Sequence, residues 1–205
     1  MHWYRRLADV PGVDYPGSPG VNRGRLPGFN LKPEVKRYDF DSRRSEHLWW
    51  NHPDGTSSAS PASQWNAQSQ EENVPPQAIL QRLQEVLELP GVAADYHFAI
   101  QGCFERLWQH RYDHPWVLKE IETLCWLDIR LVEAHPDILH INQQDGTVVY
   151  ARSLAFERLI RMYERNGYLA EALDVAKRAT RFHADDSILK PLRERLARLE
   201  AEHGS

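Results

Sequence analysis

Arg158, Arg161 and Arg165 follow one another at steps of three and four residues, which in a helix puts three guanidinium groups on one face. Groups spaced this way can take carboxylates by charge-assisted, often bidentate, hydrogen bonds. Glu157 and Glu164 flank them and compete for the charge through surface ion pairs worth at most about 1 kcal/mol each. Asp128 is a carboxylate on an otherwise apolar helical stripe, where it is either a poised acid or, more commonly, a hydrogen-bonded core group. The chain has ten histidines, and His110 and His114 have a ligand-like gap. Pro115 starts a new helix immediately afterwards, so the two lie across a turn, and no cysteine or carboxylate cluster completes a metal site. Trp49 and Trp50, preceded by Arg43 and Arg44, either stack on a partner or anchor the segment to the domain surface. No Gly-x-Ser-x-Gly, phosphate-loop or dinucleotide pattern is present, because many of the glycines fall in Pro-Gly turns. The reading is of a non-catalytic chain without cofactor or metal.

The elements that position these residues follow from periodicity. Pro-Gly pairs at 11, 16, 19 and 27 interrupt any regular structure in the first forty residues, although the aromatic residues there predict docking on a folded body. Residues 54–76 have the Ser, Gln, Asn and Pro content of a linker. Beyond Pro76, apolar positions recur every three or four residues in six stretches, at about 76–90, 93–111, 115–134, 148–166, 170–182 and 187–202. Residues 138–150, ILHINQQDGTVVY, read as two short strands or an extended loop, and the loop is favoured. Cys103 and Cys125 fall among apolar neighbours inside helical patterns and read as reduced core thiols. The predicted fold is all-α, an irregular stack of antiparallel helical hairpins at 77–202, after a non-regular segment at 1–53 and a linker at 54–76.

Residues 153–186, SLAFERLIRMYERNGYLAEALDVAKRATRFHADD, resemble one tetratricopeptide repeat over its 34-residue length. Phe156, Leu159 and Tyr163 stand at the large positions of its first helix, Gly167 and Tyr168 at the turn, and Ala172 and Ala179 at the small positions of the second. Ile160 replaces the usual glycine and Ala184 the usual proline. A weaker hairpin, with Ile100, Cys103, Phe104 and Leu107 followed by Val117, Ile121 and Leu124, echoes it at another period. The resemblance implies that the exposed side of the first helix lines a groove in which basic residues clamp acidic peptide tails. His52-Pro53-Asp54 and His135-Pro136-Asp137 resemble the signature of J-domain co-chaperones, but the preceding LDIRLVEA is not the basic helix that signature follows, so nothing is carried over.

Charge narrows the partner. Residues 1–44 contain nine Lys or Arg against five Asp or Glu, whereas the rest has sixteen against twenty-four. The expected function is a protein-protein scaffold or adaptor that takes a short acidic or carboxylate-ended peptide through Arg158, Arg161 and Arg165. The rival is a nucleic-acid-associated regulator that uses the basic amino-terminal segment. No apolar run approaches the roughly 20 residues that span a bilayer, and MHWYRRLADVPG lacks an apolar leader core, so a cytoplasmic location without membrane contact is expected. Far-ultraviolet circular dichroism should be dominated by helix, and a strand-dominated spectrum would end this reading.

Overall fold

A computed structural model describes residues 2–32, 34–40, 43–52, 55–57, 59–67, 74–142, 148–150, 153–182 and 189–203. The chain divides into two compact units, Met1–Ala134 and His135–Ser205. Seven α-helices dominate the described residues, and the fold is of the all-α class. No helix among them is long and apolar enough to cross a membrane.

In the first unit the helices form where apolar periodicity and end signals coincide. Pro76 opens α2, Pro76–Leu87, at a position whose backbone N–H would have no helical partner, and Ile79, Leu83, Val86 and Leu87 form its buried stripe. The α3 helix, Ala93–Gln109, begins where the Asp95 carboxylate accepts the Val92 N–H at 2.9 Å. Its Tyr96, Ile100, Phe104 and Leu107 are fully buried. Helix α4, Val117–Ala134, buries nine residues around a wide face, as its sequence predicts, and packs along α3. Cys103 and Cys125 are free and buried.

Two departures lie upstream. Within the expected linker, α1, Pro61–Ala67, packs on α2 and α3. Ser60 accepts the Ser63 N–H at 2.9 Å and Pro61 starts the first turn, a cap that outweighs the linker-like composition. Trp65 then reaches α2, donating from Nε1 to Glu85 at 2.9 Å while the Arg82 guanidinium lies 3.5 Å from its ring centre. The second departure is a three-stranded antiparallel sheet, β1 (Glu34–Phe40), β2 (Arg43–His52) and β3 (Gly55–Ser57), in a segment expected to be non-regular. Neither long strand has the period-two apolar alternation by which a half-buried strand announces itself. Trp50 on β2 is buried and donates to the Ala59 carbonyl at 2.6 Å, which makes it an anchor.

The amino-terminal residues are built into this unit. Tyr4 and Gly91 exchange backbone hydrogen bonds of 2.9 and 3.1 Å, and Leu7 and Val10 are buried. Gly12 has φ of 78° and comes so close to Ala134 that a Cβ would stand 2.9 Å from the alanine methyl carbon. The Glu88 carboxylate, 2% exposed at the end of α2, accepts the Ser18 N–H at 2.7 Å and lies 3.5 Å from both Arg6 and Arg23. Burial works against the Arg6 charge, yet Glu88 and Asp9 outweigh it and hold the guanidinium above its ordinary range.

In the second unit, β4 (His140–Asn142) pairs antiparallel with β5 (Val148–Tyr150), where a loop was favoured. The helix expected from Val148 accordingly begins later, as α5, Leu154–Arg165. Consecutive β-branched and aromatic residues at 148–150 suit a ladder better than a first helical turn. Gly167, φ 81°, closes α5 with Tyr168 N–H bonded to the Tyr163 carbonyl at 2.9 Å and Gly167 N–H to that of Glu164 at 3.3 Å. The chain returns as α6, Leu169–Ala179, which packs on α5, and α7, Leu189–His203, packs on α6 with Leu192 buried. Ala184, expected at the exit of the repeat, lies outside the described residues.

Removing one partner from a buried ionic cluster is costly, although Arg6 and Arg23 are exposed enough to turn towards water. Glu88→Ala should therefore lower unfolding free energy by about 2–3 kcal/mol in a urea titration. Arg6→Ala should cost under about 1 kcal/mol. Equal stability of Glu88→Ala and the parent would show that the cluster does not hold the amino-terminal segment.

Candidate functional site

The arginine stripe is positioned by the amphipathicity of α5. Ala155, Phe156, Leu159, Ile160 and Met162 are buried against the rest of their unit, with Phe156 stacked near Phe182 at 5.7 Å between ring centres. On the other side Arg161 and Arg165 are exposed and Arg158 is half-buried. The expected competition from the flanking glutamates is divided. Glu164 lies 3.9 Å from Arg195 of α7, which draws it away from the stripe. Among the described residues no hydrogen bond or ion pair engages Arg161 or Arg165. Ala172 and Ala179 are buried on α6, where small side chains let two helices approach. Tyr163, expected in the core, is half-buried and meets Tyr168 edge-on at 6.4 Å.

Asp128 is in the core. Its Oδ1 lies 2.6 Å from Nδ1 of His97, and Nε2 of that ring lies 2.8 Å from the Gln101 amide nitrogen. His97 is 2% exposed and Asp128 0%, so the pair joins α3 to α4 away from water. Complete burial pushes the Asp128 carboxyl above the usual carboxylate range, and the hydrogen bond and charge of His97, with the Gln101 amide, pull it back only in part. Its second oxygen is buried and, among the described residues, makes no hydrogen bond of ordinary geometry. The third member of this chain is an amide, so the arrangement orients a histidine but aims it at no nucleophile. His97 was missed in the sequence because it looks like one more residue on the buried stripe of α3. The available signal was a histidine and an aspartate each placed on the apolar face of neighbouring helices.

The remaining candidates are separated. His110 and His114 sit in the turn between α3 and α4 with ring centres 6.2 Å apart. Among the described residues no group of three His, Cys, Asp or Glu side chains could hold a metal ion. Burial pushes the Cys103 thiol up to about 12, despite the nearby Arg106 charge, which leaves it a protonated core group. It forms the floor of a cavity of about 140 Å³ shared with Arg82 and Arg106, where Gly102 leaves open space above α3.

No protein-family model matches this chain, and neither a curated protein nor a solved structure matches it.

The raised Asp128 carboxyl has a sign that can be tested. A carboxyl with a higher pKa folded than unfolded stabilises the fold fully below its unfolded value, roughly 3.9, and loses that contribution as pH rises through the folded value. Asp128→Asn keeps an acceptor for His97 and removes this loss. Measured by urea unfolding from about pH 4 upwards, the variant should gain stability relative to the parent as pH rises. A parent that gains on the variant over that range would refute the assignment.

Proposed function

We propose that the chain is a non-catalytic scaffold, built on a tetratricopeptide-like hairpin, that takes a short acidic or carboxylate-ended peptide through Arg158, Arg161 and Arg165. The observation that supports this most is the state of Arg161 and Arg165, exposed on α5 and uncommitted among the described residues while the neighbouring Glu164 turns to Arg195. Long cationic side chains kept unpaired one helical turn apart suit a ligand that brings its own negative charge. The rival reading, phosphate contact by the basic amino-terminal segment, loses part of its charge to the interior. Arg6 and Arg23 both close on Glu88.

The test is fluorescence anisotropy with a labelled oligoglutamate peptide carrying a free carboxyl terminus. Each charge-assisted contact contributes roughly 1.5–3 kcal/mol, so Arg161→Ala with Arg165→Ala should weaken binding by about a hundredfold or more while leaving circular dichroism unchanged. Phe156→Ala is the contrasting control, since deleting a fully buried aromatic should cost about 3–5 kcal/mol and remove binding by unfolding the hairpin. Undiminished binding by the double arginine variant would sink the reading.

A further inference from the structure

A second basic site lies in the first unit, far from α5 in sequence. Arg5, Arg23 and Lys32 line a cavity of about 230 Å³ together with Phe29, Asn30 and Leu31. Among the described residues that line it, three are cationic and none is a carboxylate, although Arg23 is paired with Glu88. Arg23 is fixed, with Nε donating to the Glu88 carbonyl at 3.1 Å and lying 3.5 Å from the Glu88 carboxylate, and Nη2 donating to the Arg5 carbonyl at 3.4 Å. Arg5 and Lys32 are exposed, and among the described residues neither side chain has a hydrogen bond or ion pair. The wall is built as a run of tight turns. Leu26 N–H bonds to the Arg23 carbonyl at 3.0 Å, and Leu31 N–H to the Gly28 carbonyl at 3.1 Å. Gly28 has φ of 78°, and a Cβ there would stand 2.9 Å from Leu31 and 3.0 Å from Pro61, so the loop is pressed against the start of α1. Preformed walls lower the ordering cost of binding.

We infer that this cavity binds a phosphate monoester carried on a single ring. A phosphoryl group has nearly two negative charges and three acceptor oxygens, which suits the two uncommitted cations Arg5 and Lys32 beside the donors that Arg23 keeps free better than one carboxylate does. Arg5 and Arg23 supply planar donors and Lys32 a point charge. Half-buried Phe29 and Leu31 give the ring an apolar surface on which to stack. The volume lies below the roughly 300–1,000 Å³ of sites for larger organic ligands and suits a phosphoryl group with one ring.

Isothermal titration calorimetry on the full chain tests this with phenyl phosphate, inorganic phosphate and benzoate at one fixed salt concentration. Phenyl phosphate should saturate one site and bind more tightly than inorganic phosphate, and benzoate should be weaker by about tenfold or more. Arg5→Ala with Lys32→Ala should weaken phenyl phosphate by about tenfold or more at unchanged melting temperature, since neither side chain packs in the core. Phe29→Ala should bring phenyl phosphate down to the level of inorganic phosphate. The assignment is overturned by absence of saturation with either phosphate, by benzoate equal to phenyl phosphate, or by full affinity in the Arg5 and Lys32 variant. A single-stranded oligothymidylate that binds more tightly than phenyl phosphate through the same two residues would overturn the small-ligand assignment and give the site to nucleic acid. Substitution of Arg161 and Arg165 should leave all these affinities unchanged.

Discussion

The carboxylate of Glu88 is the interaction on which the first unit depends. A buried carboxylate is tolerated only with close partners, and the three that serve Glu88 come from 65 to 82 residues away along the chain. Ser18 donates its backbone N–H, and Arg6 and Arg23 approach from opposite ends of the same segment. One charge at the end of α2 thereby organises a stretch that has little regular backbone structure of its own. It also sets Arg23 at the back of the basic cavity, so the same contact that ties the segment down places one of its binding groups.

Asp128 shows the other way a helical core can hold an acid. Glu88 has two guanidinium groups and a backbone donor, whereas Asp128 has only neutralisable or neutral neighbours, the His97 imidazole and the Gln101 amide. The contrast explains why the Asp128 carboxyl lies above its ordinary range. A buried polar pair adds little net stability once its desolvation is counted, but its hydrogen bond forms at one register only. Here the contact fixes one residue of α3 opposite one of α4, in a face otherwise filled by aliphatic and aromatic side chains that could slide past one another.

The helices were legible because each carries its own periodicity and end signals, from Pro76 ahead of Ile79 and Leu83 to Gly167 closing α5. Exposure of Arg161 and Arg165 followed from the same arithmetic. The strands β1 and β2 were not legible, because they have no apolar alternation, and β4 and β5, three residues each, were legible only as the less favoured of two readings of 138–150. The short α1 was hidden by its composition, although Ser60 and Pro61 mark its start. Interactions that join distant positions left the faintest traces. Nothing local distinguishes Glu88 from the exposed Glu residues elsewhere, and the convergence of Arg5, Arg23 and Lys32 exists only once the turns between them are formed.

The bridge between Tyr4 and Gly91 carries a consequence for biosynthesis. A ribosome adds roughly 5–20 residues per second, so Tyr4 waits on the order of ten seconds before Gly91 has been made. During that interval Leu7 and Val10, buried in the finished unit, have no surface to cover them, and Arg6 and Arg23 have no Glu88. The nascent segment is then a cationic chain with exposed apolar side chains. Its Pro-Gly pairs interrupt extended runs, the feature that pairing between exposed chains requires.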